Sequence, residues 1–143
     1  EAHRRQFLSQ TKIQLLCDSV ATFGDAVYLI GRDDETNAGR KSLQQLTAGL
    51  DPSKPILLLD HQPHHLEQAE LAGVDFQFSG HTHRGQVFPL NLLVDRMYER
   101  SHGYHRRGKT QYYVSSGIGI WGGKYRIGTQ SEYVVIHLSG RAD

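Results

Sequence analysis

The sequence predicts an α/β fold, because short apolar segments typical of buried strands alternate with helical patterns along its first eighty residues. Residues 26–30 form a continuous apolar run, as expected for a strand that is covered on both faces. Residues 56–59 form a second run of this kind, and residues 74–78 alternate apolar with polar side chains. These three segments are therefore expected to be strands of one sheet.

Helices are predicted before, between and after these strands. Residues 42–50 place three leucines at helical spacing, and residues 64–71 form a second helical segment that ends at a glycine. Residues 1–10 predict a further short helix. Strands separated by helices favour a sheet whose parallel strands are joined by right-handed crossovers.

The remaining segments predict a less regular arrangement. Additional strands are predicted at residues 13–16, 19–22, 110–116 and 133–138, with one helical turn at 95–100 and loops at 101–109 and 117–123. Residues 87–94 contain Pro89, which predicts a bent loop or an edge segment. Consecutive strands without helices between them predict an antiparallel part, so a mixed sheet or two sheets, which some schemes class as α+β.

Composition limits the possible functions only broadly. The 143 residues suffice for one domain, and the formal net charge of +1 gives no reason to expect a nucleic-acid partner. The single cysteine excludes an internal disulfide. No run reaches the roughly 18 apolar residues of a membrane span, so we expect this chain to be soluble. The chain starts with Glu1 inside a helical pattern, which leads us to expect a fragment that lacks its true N-terminus.

Histidines after two predicted strands are the candidate metal ligands. His81 and His83 follow the strand at 74–78, and His61 follows the strand at 56–59. Neutral imidazoles two residues apart can bind one metal ion, or one each of two ions roughly 3.5–4 Å apart. The alternative is a pair of surface or packed histidines without a ligand. His61 favours the metal site, because strand ends that meet at one edge of a sheet form the binding sites of α/β folds.

Other polar residues have structural alternatives at least as plausible as a chemical role. Asp33 and Asp34 could be ligands or a general base, or could form the turn after a strand. His64 and His65 begin a predicted helix, where exposed or capping positions are expected. The glycine-rich loop at 117–123 lacks the Lys-Ser/Thr of a nucleotide-binding loop, and the sequence contains no Gly-x-Ser-x-Gly nucleophile motif.

Four segments carry a family resemblance when they are taken together. They are Leu-Asp-His-Gln-Pro at 59–63, Ser-Gly-His-Thr-His-Arg-Gly-Gln at 79–86, Tyr-Val-Ser-Ser-Gly-Ile-Gly at 113–119, and the run 126–136. This combination resembles the C-terminal half of the calcineurin-like metallophosphoesterases, and within them a bacterial, often membrane-anchored branch. The resemblance covers nearly the whole chain. It implies a parent protein at a bacterial cell membrane.

The resemblance implies a ligand assignment and a reaction. His61 and His81 would bind one divalent ion and His83 a second, with Mn, Fe, Zn or Ni as the metal. The pair of ions would activate a hydroxide that hydrolyses a phosphate monoester or diester. Arg84 stands where many members have glycine, so it would either contact the substrate phosphate or point to solvent.

The resemblance also implies that residues 1–143 are the C-terminal portion of a larger catalytic domain. The fold of the family is a four-layer α/β/β/α sandwich with two mixed sheets. The upstream metal motifs of the family, including the bridging aspartate, have no counterpart in this chain. We therefore expect a catalytically inactive half of the domain, without catalytic residues of its own, that needs the missing N-terminal half. Its exposed sheet face would otherwise favour self-association.

Two other functions stay open at this point. The chain could be a non-catalytic metal-binding or interaction domain that dimerises through the exposed sheet face. It could also be a self-contained zinc hydrolase with three histidine ligands and a nearby base such as Asp60.

Overall fold

The structure is a computed structural model that describes residues 2–139, with side chains described from residue 6 onward. The described α-helices are α1 (Ala2–Ser9), α2 (Leu43–Thr47), α3 (Leu66–Leu71) and α4 (Leu90–Met97), and His83–Gly85 form a short 3-10 helix. The described strands are β1 (Ser19–Phe23), β2 (Val27–Gly31), β3 (Ile56–Leu59), β4 (Phe76–Ser79), β5 (Gly103–Arg107) and β6 (Thr110–Val114). No helix in this part of the chain is long and apolar enough to cross a membrane.

The six strands form a mixed sheet in the order β1-β2-β3-β4-β6-β5. The four central strands run parallel to one another, and the two edge strands pair antiparallel with them. The α/β prediction is therefore confirmed. Because the four central strands run in the same direction, their carboxyl ends lie at one edge of the sheet, where the candidate ligands follow β3 and β4.

One face of the sheet carries the core. Ile30, Leu58, Gln77 and Tyr112 lie side by side in register across the four central strands, and all four are buried. The predicted helices α2 and α3 supply buried apolar side chains that pack in this core, namely Leu43, Leu46, Leu66 and Ala69. The hydroxyl of Tyr112 donates to the carbonyl of Leu66 at 2.7 Å, which satisfies both polar groups inside the core.

The opposite face of the sheet is largely uncovered by the described residues. Leu59, Phe78 and Tyr113 form the next row across the sheet, on the side away from α2 and α3. Leu59 is 42% exposed, and the other two are half-buried. An apolar row of this kind is the face that a second layer would cover.

The strand predicted at 13–16 is wrong, because this segment has no regular structure and pairs with no described strand. The chain passes close to the end of β2, where a Cβ on Gly31 would overlap the side chain and carbonyl of Leu16. Leu15 is 50% exposed on the open side of the sheet. Apolar residues alone therefore gave a misleading strand pattern.

The bent loop predicted at 87–94 is also wrong, since Leu90 begins α4 and the helix continues to Met97. Pro89 occupies the position before the first helical residue, where a missing N–H group costs no intrahelical hydrogen bond. The helical turn predicted at 95–100 is accordingly the end of a longer helix that starts earlier.

Two further predictions are wrong, because a polar segment forms a strand and an apolar segment does not. The loop predicted at 101–109 contains the polar edge strand β5, which forms a hairpin with β6. Arg107 of this strand pairs with Glu70 at 2.7 Å and with Glu99 at 3.1 Å. The strand predicted at 133–138 has no strand partner among the described residues, and its Tyr133 is 84% exposed.

We expect Leu58→Ala to lower the free energy of unfolding by about 2–5 kcal/mol, because Leu58 is fully buried and its loss leaves a cavity. Leu59→Ala is the matched control on the adjacent, 42% exposed position, and should cost at most about 1 kcal/mol. Urea unfolding of the two variants measures the difference. Equal losses would contradict the assignment of the core to one face of the sheet.

Candidate metal centre

His61 and His81 occupy equivalent positions after two adjacent parallel strands. His61 lies two residues beyond the end of β3, and His81 lies two residues beyond the end of β4. The pairing continues past the strands, because the amide of Gly80 donates to the carbonyl of His61 at 3.0 Å. The backbone of the two strand ends therefore fixes the distance between the two histidines.

The two imidazole rings are in direct contact. Nδ1 of His81 lies 3.3 Å from Nε2 of His61, and the ring planes are almost perpendicular. Two nitrogens that bind one tetrahedral metal at about 2.0–2.1 Å lie roughly 3.3 Å apart. The spacing and the donor chemistry of this pair therefore fit two ligands of a single divalent cation.

The turn that carries His81 and His83 has an unusual backbone. His81, His83 and Arg84 all have positive φ angles, of 68°, 48° and 52°. Such conformations are unfavourable for residues with side chains and persist only when the surroundings fix them. Thr82 does so from the centre of the turn, because its hydroxyl donates to the carbonyl of Ser101 and accepts the amide of Arg84.

Arg126 connects His83 with the glycine-rich loop. Its guanidinium donates to the carbonyls of Ser116 at 2.7 Å and Gly119 at 2.6 Å, and to the carbonyl of His83 at 3.2 Å. Its Nη2 also lies 3.5 Å from Nδ1 of His83. Arg126 therefore holds both the backbone and the ring of His83 against the loop.

Gln86 holds the other end of the same loop. Its side-chain amide donates to the carbonyl of Trp121 at 2.6 Å and accepts the amide of Trp121 at 2.6 Å, as a neighbouring strand would. The side chain is 4% exposed, so these bonds are largely shielded from water. The glycine-rich loop is therefore tied to the histidine turn at both of its ends.

The environment of the histidine turn favours neutral imidazoles. Burial lowers the pKa of His81, and the nearby charges of His61 and His64 lower it further. Burial also lowers the pKa of His83, and the Arg126 guanidinium adds to the effect. Neutral imidazole is the form that binds a metal.

The three candidate histidines border the same space without forming a closed ligand set. His61, His81 and His83 all line a cavity of about 720 Å³ that opens along the uncovered sheet face. They also line a second cavity of about 460 Å³ beside α4. Among the described residues, no group of three or more His, Cys, Asp or Glu side chains is arranged to hold a metal ion. The structure thus brings together one pair, with His83 further away.

The other candidate residues lie elsewhere. Arg84 is exposed and lines a separate polar cavity with His102 and Glu132, so its contact with a substrate phosphate stays a prediction. Asp33 and Asp34 accept hydrogen bonds from their own turn, including Asn37 and Thr36, which supports the turn interpretation.

Asp60, considered above as a base, is engaged by two cations. It is 4% exposed, and its Oδ2 accepts from Arg40 at 2.6 Å and from Arg32 at 3.4 Å. Burial raises the pKa of this carboxyl, while the two arginines oppose the rise. A carboxylate held in this way is a structural partner of the arginines, which argues against a self-contained zinc hydrolase with Asp60 as its base.

His64 and His65 precede α3 instead of beginning it. His65 caps the helix at a positive φ of 53° without a side-chain cap bond, and its exposed ring lies 3.4 Å from Glu67. His64 pairs with Glu35 at 3.5 Å and contacts the ring of Tyr98.

Comparisons with known proteins agree on one family. The chain is 41% identical over 100 residues to an uncharacterized metallophosphoesterase of Campylobacter jejuni, which covers 69% of this chain and 27% of that protein. It is 46% identical over 90 residues to an uncharacterized metallophosphoesterase of Helicobacter pylori, a match that covers 62% of this chain and 24% of that protein. It is 40% identical over 93 residues to a transmembrane protein with metallophosphoesterase domain of Danio rerio, a match that covers 63% of this chain and 21% of that protein.

This chain belongs to the metallophosphoesterase family. The resemblance identified from the sequence is therefore confirmed at the level of the family. The matched region spans only about a quarter of the length of these relatives. No family model matches the chain, and no solved structure does.

Sequence reasoning missed two residues that organise the loop around the histidines. Gln86 lies far in sequence from Trp121, and both Gln86 and Arg126 bind mostly backbone carbonyls and amides of the loop. Backbone partners leave no pattern in a sequence. The one available signal was that both residues fall inside the segments that carry the family resemblance.

We expect Arg126→Met to speed amide hydrogen exchange in residues 116–121 roughly tenfold, because several carbonyls lose a charged donor at once. Arg84→Met is the matched control, since Arg84 is an exposed arginine of the neighbouring turn. Hydrogen exchange followed by mass spectrometry measures both variants. Exchange that is unchanged in Arg126→Met would show that this side chain does not hold the loop.

A pH-dependent contribution is expected from Glu132. Although burial raises the pKa of its carboxyl, a hydrogen bond from the backbone amide of Ser116 and the charge of His102 bring it below its ordinary value of 4.5. A carboxyl with a lowered folded-state pKa stabilises the fold above its unfolded-state pKa, and loses this effect as the pH falls through the folded-state value.

Glu132→Gln should therefore cost roughly 1–2 kcal/mol of unfolding free energy at pH 7, and progressively less below about pH 4.5. Urea unfolding at a series of pH values measures the difference from the unmodified chain. Glu67→Gln on the surface of α3 serves as the control and should change the free energy of unfolding little at any pH of the series. A cost that is independent of pH would refute this assignment.

Proposed function

We propose that this chain is the C-terminal portion of a metal-dependent phosphoesterase domain, and that it supplies the histidine side of a two-metal centre. The observation that carries the proposal is the 3.3 Å contact between His61 and His81, which has the spacing of two ligands on one cation. Family membership supports the phosphoesterase assignment.

Each residue of the site has a distinct task in this proposal. His61 and His81 hold one divalent ion, and His83 binds the second. Arg126 holds the carbonyl of His83 and the loop beside it in place. When bound, the two ions, of Mn, Fe, Zn or Ni, would supply an activated hydroxide and polarise the oxygens of a phosphate monoester or diester.

Charge is the reason to propose an additional segment. Two divalent ions repel each other strongly at close range, and neutral histidines beside Arg126 do not compensate this charge. A bridging carboxylate would compensate the charge of the two ions, and we propose that the N-terminal half of the domain provides it. The isolated chain is then inactive. The relative from Danio rerio is named a transmembrane protein, which supports a membrane-anchored parent for this chain as well.

The uncovered sheet face supports the same proposal. Leu59, Phe78 and Tyr113 would be covered by the second sheet of a four-layer α/β/β/α sandwich. The competing function, a non-catalytic domain that dimerises, uses the same face, since this apolar row could equally pack against a second copy. Both can be tested by adding the upstream segment, because only the sandwich predicts that this segment abolishes self-association.

The isolated chain should retain less than one metal ion after equilibration with Mn²⁺ or Zn²⁺ and desalting. The chain extended by the upstream part of its parent should retain about two, because that part brings the missing anionic ligands. Plasma mass spectrometry measures the metal content, and hydrolysis of p-nitrophenyl phosphate and bis(p-nitrophenyl) phosphate measures activity.

A His81→Ala, His83→Ala variant of the extended protein should lose both the ions and the activity. A His65→Ala, His105→Ala variant is the matched control and should keep both, since these rings face Glu67 and Glu99. Two ions retained by the isolated chain would contradict the half-site, and an extended protein without metal would contradict the phosphoesterase proposal.

A further inference from the structure

The cavity beside α4 is lined by both histidines and apolar side chains. His61, His81 and His83 are among the residues that border its roughly 460 Å³. The wall consists of apolar side chains of α4 and of the glycine-rich loop, namely Leu90, Leu93, Val94, Met97 and Trp121. Ligand sites commonly combine a large apolar lining with a few convergent polar groups, and this cavity has that composition.

The wall of α4 is an apolar stripe with little cover. Leu90, Leu93, Val94 and Met97 recur at the spacing that places them on one side of a helix. A surface helix normally buries such a stripe against a core. Here Leu93 remains 57% exposed and Met97 63% exposed, and Trp121 opposite them is 71% exposed. The apolar surface beside the histidines therefore lacks an occupant among the described residues.

The wall is attached rigidly to the histidine turn. A Cβ on Gly85 would overlap backbone atoms of Leu90 and Asn91, so the turn and the first residues of α4 pack backbone against backbone. On the other side, Gln86 binds both the amide and the carbonyl of Trp121. The apolar wall thus stands at a fixed position relative to the candidate metal ligands.

We propose that this cavity binds the apolar group of the substrate, so that the substrates are amphiphilic phosphate esters with an alkyl chain along α4. The inference rests on the proposed phosphoesterase function, in which the phosphate lies at the histidines. The eight residues of α4 span about 12 Å, which matches an alkyl chain of roughly eight to ten carbons. Continuity between the apolar wall and the histidines favours a single molecule that occupies both.

The charges of α4 argue against a membrane surface as the occupant. Helices that lie on membranes are rich in Lys and Arg on their polar face. The helix carries one acidic and one basic residue, Asp95 and Arg96, which gives no net attraction to anionic lipid. The apolar side chains also line a concave cavity, which fits an alkyl chain better than a bilayer.

Fluorescence of Trp121 tests the proposal directly, because it is the single tryptophan of the chain. The probes are n-alkyl phosphates with two, six and ten carbons, each below its micelle concentration. We expect a saturable blue shift of the emission, and an apparent Kd for decyl phosphate at least tenfold lower than for ethyl phosphate. The absence of a shift, or equal affinities for all chain lengths, would overturn the proposal.

Two neighbouring leucines provide a matched pair of variants. Leu93 lines the cavity and is 57% exposed, whereas Leu92 lies outside the cavity lining and is 56% exposed. Leu93→Ser should weaken decyl phosphate binding about fivefold, and Leu92→Ser should leave it unchanged. Equal losses in both variants, or an equal blue shift with vesicles of phosphatidylglycerol, would mean surface adsorption and would refute the cavity.

Metal addition separates this inference from the proposed function. In the protein extended by its upstream segment, Mn²⁺ should tighten the binding of alkyl phosphates and should leave the binding of a decyl alcohol unchanged. Chain-length dependence without any effect of Mn²⁺ would support the apolar site and contradict the metal centre. An effect of Mn²⁺ without chain-length dependence would contradict the apolar site alone.

Discussion

Parallel pairing of β3 with β4 is the constraint on which the candidate site depends. The register that aligns Leu59 with Phe78 continues into the following residues, so His61 and His81 leave the sheet side by side. Because side chains alternate between faces, a shift of one residue in this register would turn one of the two rings to the other face. The core on the helical side, which includes Leu58, fixes that register. The packing of one face thus determines the donor geometry at the edge.

Few charged groups act on the histidine turn. The guanidinium of Arg126 donates to the carbonyls of Ser116 and His83, and the Asp60 carboxylate is bound to two arginines. Glu35 is the acidic group whose charge acts on His81. Among the described residues, no carboxylate joins the histidines in a group that could hold a metal ion.

The sequence was sufficient to predict those strands and helices whose apolar pattern reflects burial in the core. The strands β3, β4 and β6 and the helix α2 were predicted because their side chains fill the core. The polar strand β5 was missed, since it is held by the hairpin and by ion pairs of Arg107. Pro89 was interpreted as an interruption although it directly precedes the first residue of α4, and the position of Arg126 could not be predicted because its partners are carbonyl oxygens.

The close approach at Gly85 has a consequence for how such a site can diversify. The turn with the candidate ligands and the helix that forms the apolar wall share one backbone contact, with no side chain between them to absorb a movement. A displacement of α4 that made room for a bulkier group would therefore also displace His83. Changes in ligand preference are then restricted to substitutions that alter the side chains of α4 while the helix axis stays in place.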